Sequence, residues 1–186
     1  MKENILSIIK TGLILLVIGF VCTLLLSVCN YMTKDRIVKL SLEAEQAAMM
    51  STLPEAEKFA KLSDKTDGVV TAVYEGKKED KTVVGYCVKV EPVGYGGAIS
   101  MMVGIDTEGT VTGVDIVEMS ETPGLGAKAS NEDFTNQYMG KNGEIKVIKS
   151  GAAKENEISA ISGATVTSKA VTQGVNAAIA VAEKLR

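Results

Sequence analysis

The sequence has no histidine, no tryptophan, and only three cysteines among 186 residues. Without histidine there is no Ser-His-Asp triad, no imidazole base, no histidine metal ligand and no c-type haem with a histidine axial ligand. Cys22 and Cys29 fall in an apolar N-terminal run, and only Cys87 lies beyond it. That excludes a disulfide framework in the rest of the chain and leaves too few thiolates for a self-contained iron–sulfur cluster. Cys22 and Cys29 share a helix face, which fits packing within a membrane better than a metal site shared with a partner. No charge of one sign dominates, with 20 basic against 23 acidic residues and a net charge of −3. With no basic stripe, no nucleic-acid partner is expected. Chemistry here must rest on hydroxyls, carboxylates, lysines, backbone amides or an acquired cofactor, and no metal site is expected.

What is present begins with Thr11–Cys29, nineteen residues without a charge. At about 1.5 Å per residue such a helix spans roughly 28 Å, close to the hydrocarbon thickness of a bilayer. The run is long for a signal-peptide core and no Ala-x-Ala-like site follows it, so an uncleaved anchor is expected. A lipoprotein reading at Cys29 fits poorly, because Val28 is larger than the residue expected there. Lys2 and Lys10 before the span are balanced by Lys34, Arg36 and Lys39 after it, so charge alone does not orient it.

Beyond the span, Thr33–Met50 reads as a helix with Ile37, Leu40, Ala44 and Ala47 on one face. Pro54 interrupts it, and a shorter helical piece is expected to about Leu62. Strands follow at 68–75 and 81–91, then a hairpin of 99–105 and 110–117 around Asp106-Thr107-Glu108-Gly109. In the second strand Val84, Tyr86, Val88 and Val90 alternate with Gly85, Cys87, Lys89 and Glu91. A helical stretch at 131–138, a short strand at 145–149 and a helix over 166–185 complete the chain. The last helix places Val171, Val175, Ala178, Ala182 and Leu185 on one face, with Lys169, Thr172, Gln173 and Asn176 off it. The expected fold class is α+β: one transmembrane helix, then an antiparallel sheet with flanking helices. Residues 1–32 form the tail and span, 33–62 a helical stalk and 63–186 the domain.

Three segments could carry chemistry. Ser162-Gly163-Ala164-Thr165-Val166-Thr167-Ser168 opens the last helix, where small residues, free N–H groups and the positive dipole end suit a phosphate. An ordinary capped helix start fits these residues at least as well. No Gly-Lys-Ser/Thr occurs there, so this is not a nucleotide-hydrolysing loop. Glu121-Thr122-Pro123-Gly124-Leu125-Gly126-Ala127-Lys128 follows a strand and suits a turn that offers backbone groups to a flat ligand, or a plain connection. Gly94-Tyr95-Gly96-Gly97 fits a close-approach loop with Tyr95 against a ring, or a flexible hairpin connection.

Taken together, in this order, the three segments resemble the FMN-binding domain of the G subunit of the Rnf electron-transport complex, and the related C subunit of sodium-translocating NADH:quinone reductase. The resemblance covers nearly the whole chain. It implies an electron-transfer subunit of a membrane-bound ferredoxin:NAD oxidoreductase, coupled to ion translocation and with little activity alone. It implies FMN joined by a phosphoester to Thr165, attached by a flavin transferase that uses FAD. Ser162, Gly163, Ala164, Val166, Thr167 and Ser168 would surround the attachment point. Glu121, Thr122, Gly124, Leu125 and Gly126 would lie near the isoalloxazine, with Tyr95 and Gly96 beside it. Lys128, with Lys169, is a candidate to offset phosphate charge. The partners implied are the other subunits of a membrane redox complex, with the domain outside the cytoplasmic membrane.

This chain departs from the family pattern twice. Ser159 stands where an aspartate usually precedes the Ser-Gly, and Met119 where a histidine often precedes the Glu-Thr-Pro. Two other readings remain at this point: a free-standing anchored flavoprotein serving an external acceptor, and an anchored binding domain with no redox role.

Overall fold

The uncharged run and the helix-favouring residues after it form one helix, α1 (Lys2–Thr52), in the computed structural model of the chain. The structure describes residues 2–63, 68–149 and 153–186, with side chains of α1 described from Ile9 onward. Two compact units result, residues 1–43 and 44–186. In the first, Leu13, Leu16, Phe20, Leu24 and Val28 are all exposed. An apolar helix with its described side chains exposed is the expected form of a membrane anchor, since lipid tails accept the side chains that water would not. Two of its hydroxyls turn inward: Thr33 donates to the Cys29 carbonyl at 2.8 Å and Thr23 to the Gly19 carbonyl. Bonded to their own helix, these two need no water.

The second unit is built on an antiparallel sheet in the order β1 (Lys58–Ser63), β2 (Val70–Lys77), β3 (Val83–Val90), β4 (Ser100–Asp106), β5 (Val111–Glu118). The hairpin expected around Asp106 joins β4 to β5, and Asp106 Oδ1 accepts the N–H groups of Glu108 and Thr110, each at 2.8 Å. Short helical turns, including α2 (Glu132–Thr135), follow, then a parallel pair β6 (Lys146–Ile148) and β7 (Glu157–Ser159), then α3 (Thr165–Leu185).

The sheet is buried on both faces. Val171, Val175 and Ala178 of α3 pack with Val88, Val90, Met101 and Val103 on one. Ala48, Met49 and Leu53 at the end of α1 pack with Cys87 and Met102 on the other. Each fully buried aliphatic side chain contributes about 1.5–3 kcal/mol, so the middle of α3 and the end of α1 are held firmly.

Four expectations need correction. The helical piece foreseen up to Leu62 is strand β1, which pairs with β2 from Lys58↔Lys77 to Ser63↔Val73. Its exposed, lysine-bearing pattern is that of an edge strand, and pairing has overridden the helix propensity of Ala, Lys and Leu. Val84 lies with the α1-side cluster, not with Tyr86 and Val88, because the pairing register shifts between Gly76 and Lys77. On α3, Thr172 is buried and Asn176 half-buried, because protein partners satisfy both: Thr172 meets the Tyr138 hydroxyl at 2.8 Å, and Asn176 bonds both backbone groups of Ile145. Leu185, by contrast, is exposed.

Candidate functional site

The first residue of α3 is Thr165, and its N-cap is Ala164, which offers no side-chain hydrogen bond. The N–H groups of Thr165, Val166 and Thr167 therefore lack the side-chain acceptor that a Ser or Asp cap would give them. Ser168 lies within α3, one turn beyond the cap. Its buried hydroxyl accepts the Ile161 N–H at 3.0 Å and donates to the Ala164 carbonyl at 2.9 Å, folding the preceding turn back onto the helix. Gly163 there has φ +76°, and Ser162 is exposed.

The second segment folds as its residues suggest. Thr122-Pro123-Gly124-Leu125 is a turn closed by the Leu125 N–H on the Thr122 carbonyl at 3.2 Å, with Gly124 at φ +78°. Proline then glycine with positive φ is the type II pattern. Leu125 is thereby carried against Gly163, where an added Cβ would lie 3.1 Å from Leu125 Cδ2.

Glu121 joins all three segments. It is 8% exposed. Its Oε1 accepts the N–H groups of Tyr95 at 2.8 Å and Gly96 at 3.1 Å, and its Oε2 accepts the Thr167 hydroxyl at 2.8 Å. Among the described residues no lysine or arginine pairs with it. The glycines around it are needed for space: a Cβ at Gly94 would collide with Oε1, and one at Gly126 would sit 2.5 Å from Oε2 and 2.8 Å from the Thr167 hydroxyl oxygen.

Together these residues line a cavity of about 570 Å³, within the usual range for small-molecule sites. Of the sequence candidates, Tyr95, Glu121, Thr122, Leu125, Gly126, Gly163, Ala164, Thr165, Val166 and Thr167 line it. Gly96 donates its N–H to Glu121, Gly124 and Ser168 shape the cavity's loops, and Ser162 is exposed and does not line it. Lys128 is exposed on a 3-10 turn and Lys169 exposed on α3, and neither lines the cavity. The exposed rim is apolar, with Tyr95, Leu125 and Val166. Thr165 is half-buried beside the helix amides, whereas Thr167 is fully buried with its hydroxyl donated to Glu121. An apolar cleft with an uncapped helix start at one end suits a flat aromatic ligand that ends in an anionic group.

Sequence reasoning placed Glu121 among ring contacts and missed its role between loops. Its partners lie 26, 25 and 46 residues away, so no local pattern records them.

Comparison with known proteins agrees with this geometry. Residues 94–180 match the FMN-binding domain, and residues 1–54 the RnfG N-terminal region. The chain is 40% identical to the G subunit of the Na(+)-translocating ferredoxin:NAD(+) oxidoreductase complex of Acetobacterium woodii, over 96% of this chain and 93% of that one. It is 34% identical to the G subunit of the proton-translocating ferredoxin:NAD(+) oxidoreductase complex of Clostridium ljungdahlii, over 86% and 83% respectively. The fold resembles the crystal structure of the C subunit of Na(+)-translocating NADH-quinone reductase from Parabacteroides distasonis, with TM-score 0.59, 19% identity and coverage of 76% and 90% of the two chains.

Proposed function

The chain belongs to the G-subunit family of ion-translocating ferredoxin:NAD oxidoreductase complexes, and from that premise we propose that it carries its FMN covalently, through a phosphoester to Thr165. One observation carries the reading. Thr165 opens a helix whose N-terminus has no side-chain cap and borders a cavity able to take a flavin. The uncapped amides of 165–167 supply dipoles for the phosphate oxygens, with no lysine among the lining residues. Tyr95, Leu125 and Val166 supply apolar surface for the ring. FMN supplies reversible electron transfer when bound, and the chain positions it and limits water around it.

In the attachment step, the Thr165 hydroxyl oxygen bonds to the FMN-side phosphorus of FAD as the pyrophosphate bond breaks. AMP leaves, and the hydroxyl proton passes to a base of the flavin transferase. Thr167 is a poor alternative, because its hydroxyl is buried and already donated to Glu121. A covalent link keeps the cofactor at high effective concentration whatever the surrounding supply. That matters for a domain outside the cytoplasmic membrane, which is the side we assign to residues beyond the span. There the domain relays electrons within a complex that oxidises reduced ferredoxin, reduces NAD and moves ions.

The test is a denaturing gel of the chain produced with a flavin transferase, viewed under ultraviolet light, beside Thr165→Ala. A fluorescent band lost in the variant is expected, together with loss of ferredoxin:NAD turnover by the complex. Fluorescence in both lanes would move the attachment elsewhere. Protease added outside intact spheroplasts should remove the domain; full protection would reverse the assigned side.

A further inference from the structure

We propose that Glu121 is a positioning residue: by accepting hydrogen bonds from Tyr95, Gly96 and Thr167, it sets the flavin cleft in shape before any flavin arrives. The inference rests on the FMN reading above and adds an account of what organises the site.

The Tyr95 loop, the Pro123-Gly124 turn and the first turn of α3 come from three separate parts of the chain. No strand pairing among the described residues ties them together: the β-bridge Val93↔Ala98 closes the Tyr95 loop only on itself. Across the cleft the polar connection is the Glu121 carboxylate. Oε1 takes two successive backbone N–H groups of the Tyr95 loop, and Oε2 takes the Thr167 hydroxyl two residues beyond the attachment threonine. The carboxylate thus fixes the loop that carries the Tyr95 ring relative to the helix turn that presents the amides of 165–167.

The packing is fitted to this one side chain. A Cβ at Gly94 would strike Oε1, and a Cβ at Gly126 would strike Oε2 and the Thr167 hydroxyl. Three donors on one buried carboxylate, none of them charged, exchange solvation for fixed dipoles. Removing the carboxylate leaves two backbone N–H groups and a hydroxyl without acceptors, so the cleft must open to water to satisfy them. The second consequence concerns selectivity. With its hydroxyl held by Glu121, Thr167 is withdrawn from phosphoryl transfer, and Thr165 remains the accessible threonine of the pair.

Glutamine separates geometry from charge. Its carbonyl can keep both backbone N–H groups, and its amide can donate to Thr167, whose hydroxyl rotates to accept. Alanine keeps neither contact. The full-length chain is produced with a flavin transferase as wild type, Glu121→Gln, Glu121→Ala, Thr167→Val and Thr165→Ala. Flavin per chain is read over time by intact mass, the ring environment by visible circular dichroism, and folding by far-ultraviolet circular dichroism.

Glu121→Ala is expected to take up flavin at least tenfold more slowly and to lose most of the visible dichroism while its far-ultraviolet spectrum is kept. Glu121→Gln should recover most of both. Thr167→Val, which deletes one of the three donors at nearly constant shape, should fall between them. Wild-type uptake and visible dichroism in Glu121→Ala would overturn the proposal. So would a glutamine variant as impaired as alanine, since charge and not hydrogen-bond geometry would then be at work. If Glu121→Ala fails to fold, Thr167→Val decides: wild-type behaviour there overturns the proposal. Flavin on Thr165→Ala would overturn the attachment reading alone and leave the Glu121 comparison intact.

Discussion

Where α1 ends on the sheet, polar groups are used up inside the protein; where α3 begins, they are left facing a cavity. Both junctions depend on glycines that let backbone come close. At the α1 seat, a Cβ at Gly104 would collide with the Thr52 carbonyl and lie 2.6 Å from the Thr112 hydroxyl, which donates to that same carbonyl at 2.5 Å. The Thr52 hydroxyl returns to the Ala48 carbonyl at 2.7 Å, and the Cys87 thiol lies 3.6 Å from it. At the α3 start, the glycines make room for Glu121, while the amides of 165–167 are left without a side-chain cap. A closed junction that satisfies its own groups adds stability. An open one that holds groups in reserve forgoes some stability and can bind a ligand.

The largest expected effect that would test the comparison is at Cys87. Burial, partly offset by the Thr52 hydroxyl, pushes its thiol up to about 12. At neutral pH that leaves about a thousandfold less thiolate than an ordinary cysteine has. Alkylation followed by mass spectrometry should therefore show Cys87 inert in the folded chain and reactive once it is unfolded. Rapid labelling under native conditions would mean the α1 seat is not closed.

Next in size is a matched pair of glycine substitutions. Gly104→Ala should cost about 1–3 kcal/mol through overpacking, seen as a lower thermal midpoint, while flavin uptake per folded chain is unchanged. Gly126→Ala should do the reverse: uptake about tenfold slower, with a smaller change in midpoint, because the Cβ displaces Glu121 and Thr167 at an open junction. Equal effects of the two on both readouts would erase the distinction.

How much of this was legible in the sequence follows the same division. The site's local chemistry could be read, because Pro123-Gly124 makes its turn by itself and small residues at 162–164 mark the start of α3. The alternation in β3 and the Asp106 turn also gave the centre of the sheet. What could not be read depends on contacts between distant residues. Glu55 to Leu62 is rich in helix formers, yet 58–63 pairs as an edge strand because β2 offers a free edge. Gly104 looks like any strand glycine until Thr52 is brought against it, and Glu121 like any loop carboxylate until its three donors arrive. Thr172 and Asn176 look solvent-facing until Tyr138 and Ile145 supply their partners.

The smallest effect concerns how the two junctions handle charge. Glu121 meets only neutral donors, whereas Glu45 near the end of α1 pairs with Lys89 of β3 at 2.7 Å, both side chains largely buried. Burial by itself would lower the Lys89 ammonium, but the Glu45 carboxylate bonded to it, with that of Glu91 at 3.7 Å, more than offsets this and holds it above its usual value. A lysine raised by folding stabilises fully below its unfolded value, near ~10.4, and this contribution fades as pH rises through the folded value. Glu45→Gln should therefore lower stability by about 0.5–1 kcal/mol at pH 8, with the gap to wild type closing at alkaline pH as the raised Lys89 loses its proton. Thermal midpoints of the full chain in mild detergent at the two pH values measure it. A gap that stays constant with pH would mean that Glu45 acts through packing alone. The charged pair would then add nothing to the α1 seat, and the two junctions would differ only in whether their hydrogen-bonding groups are satisfied.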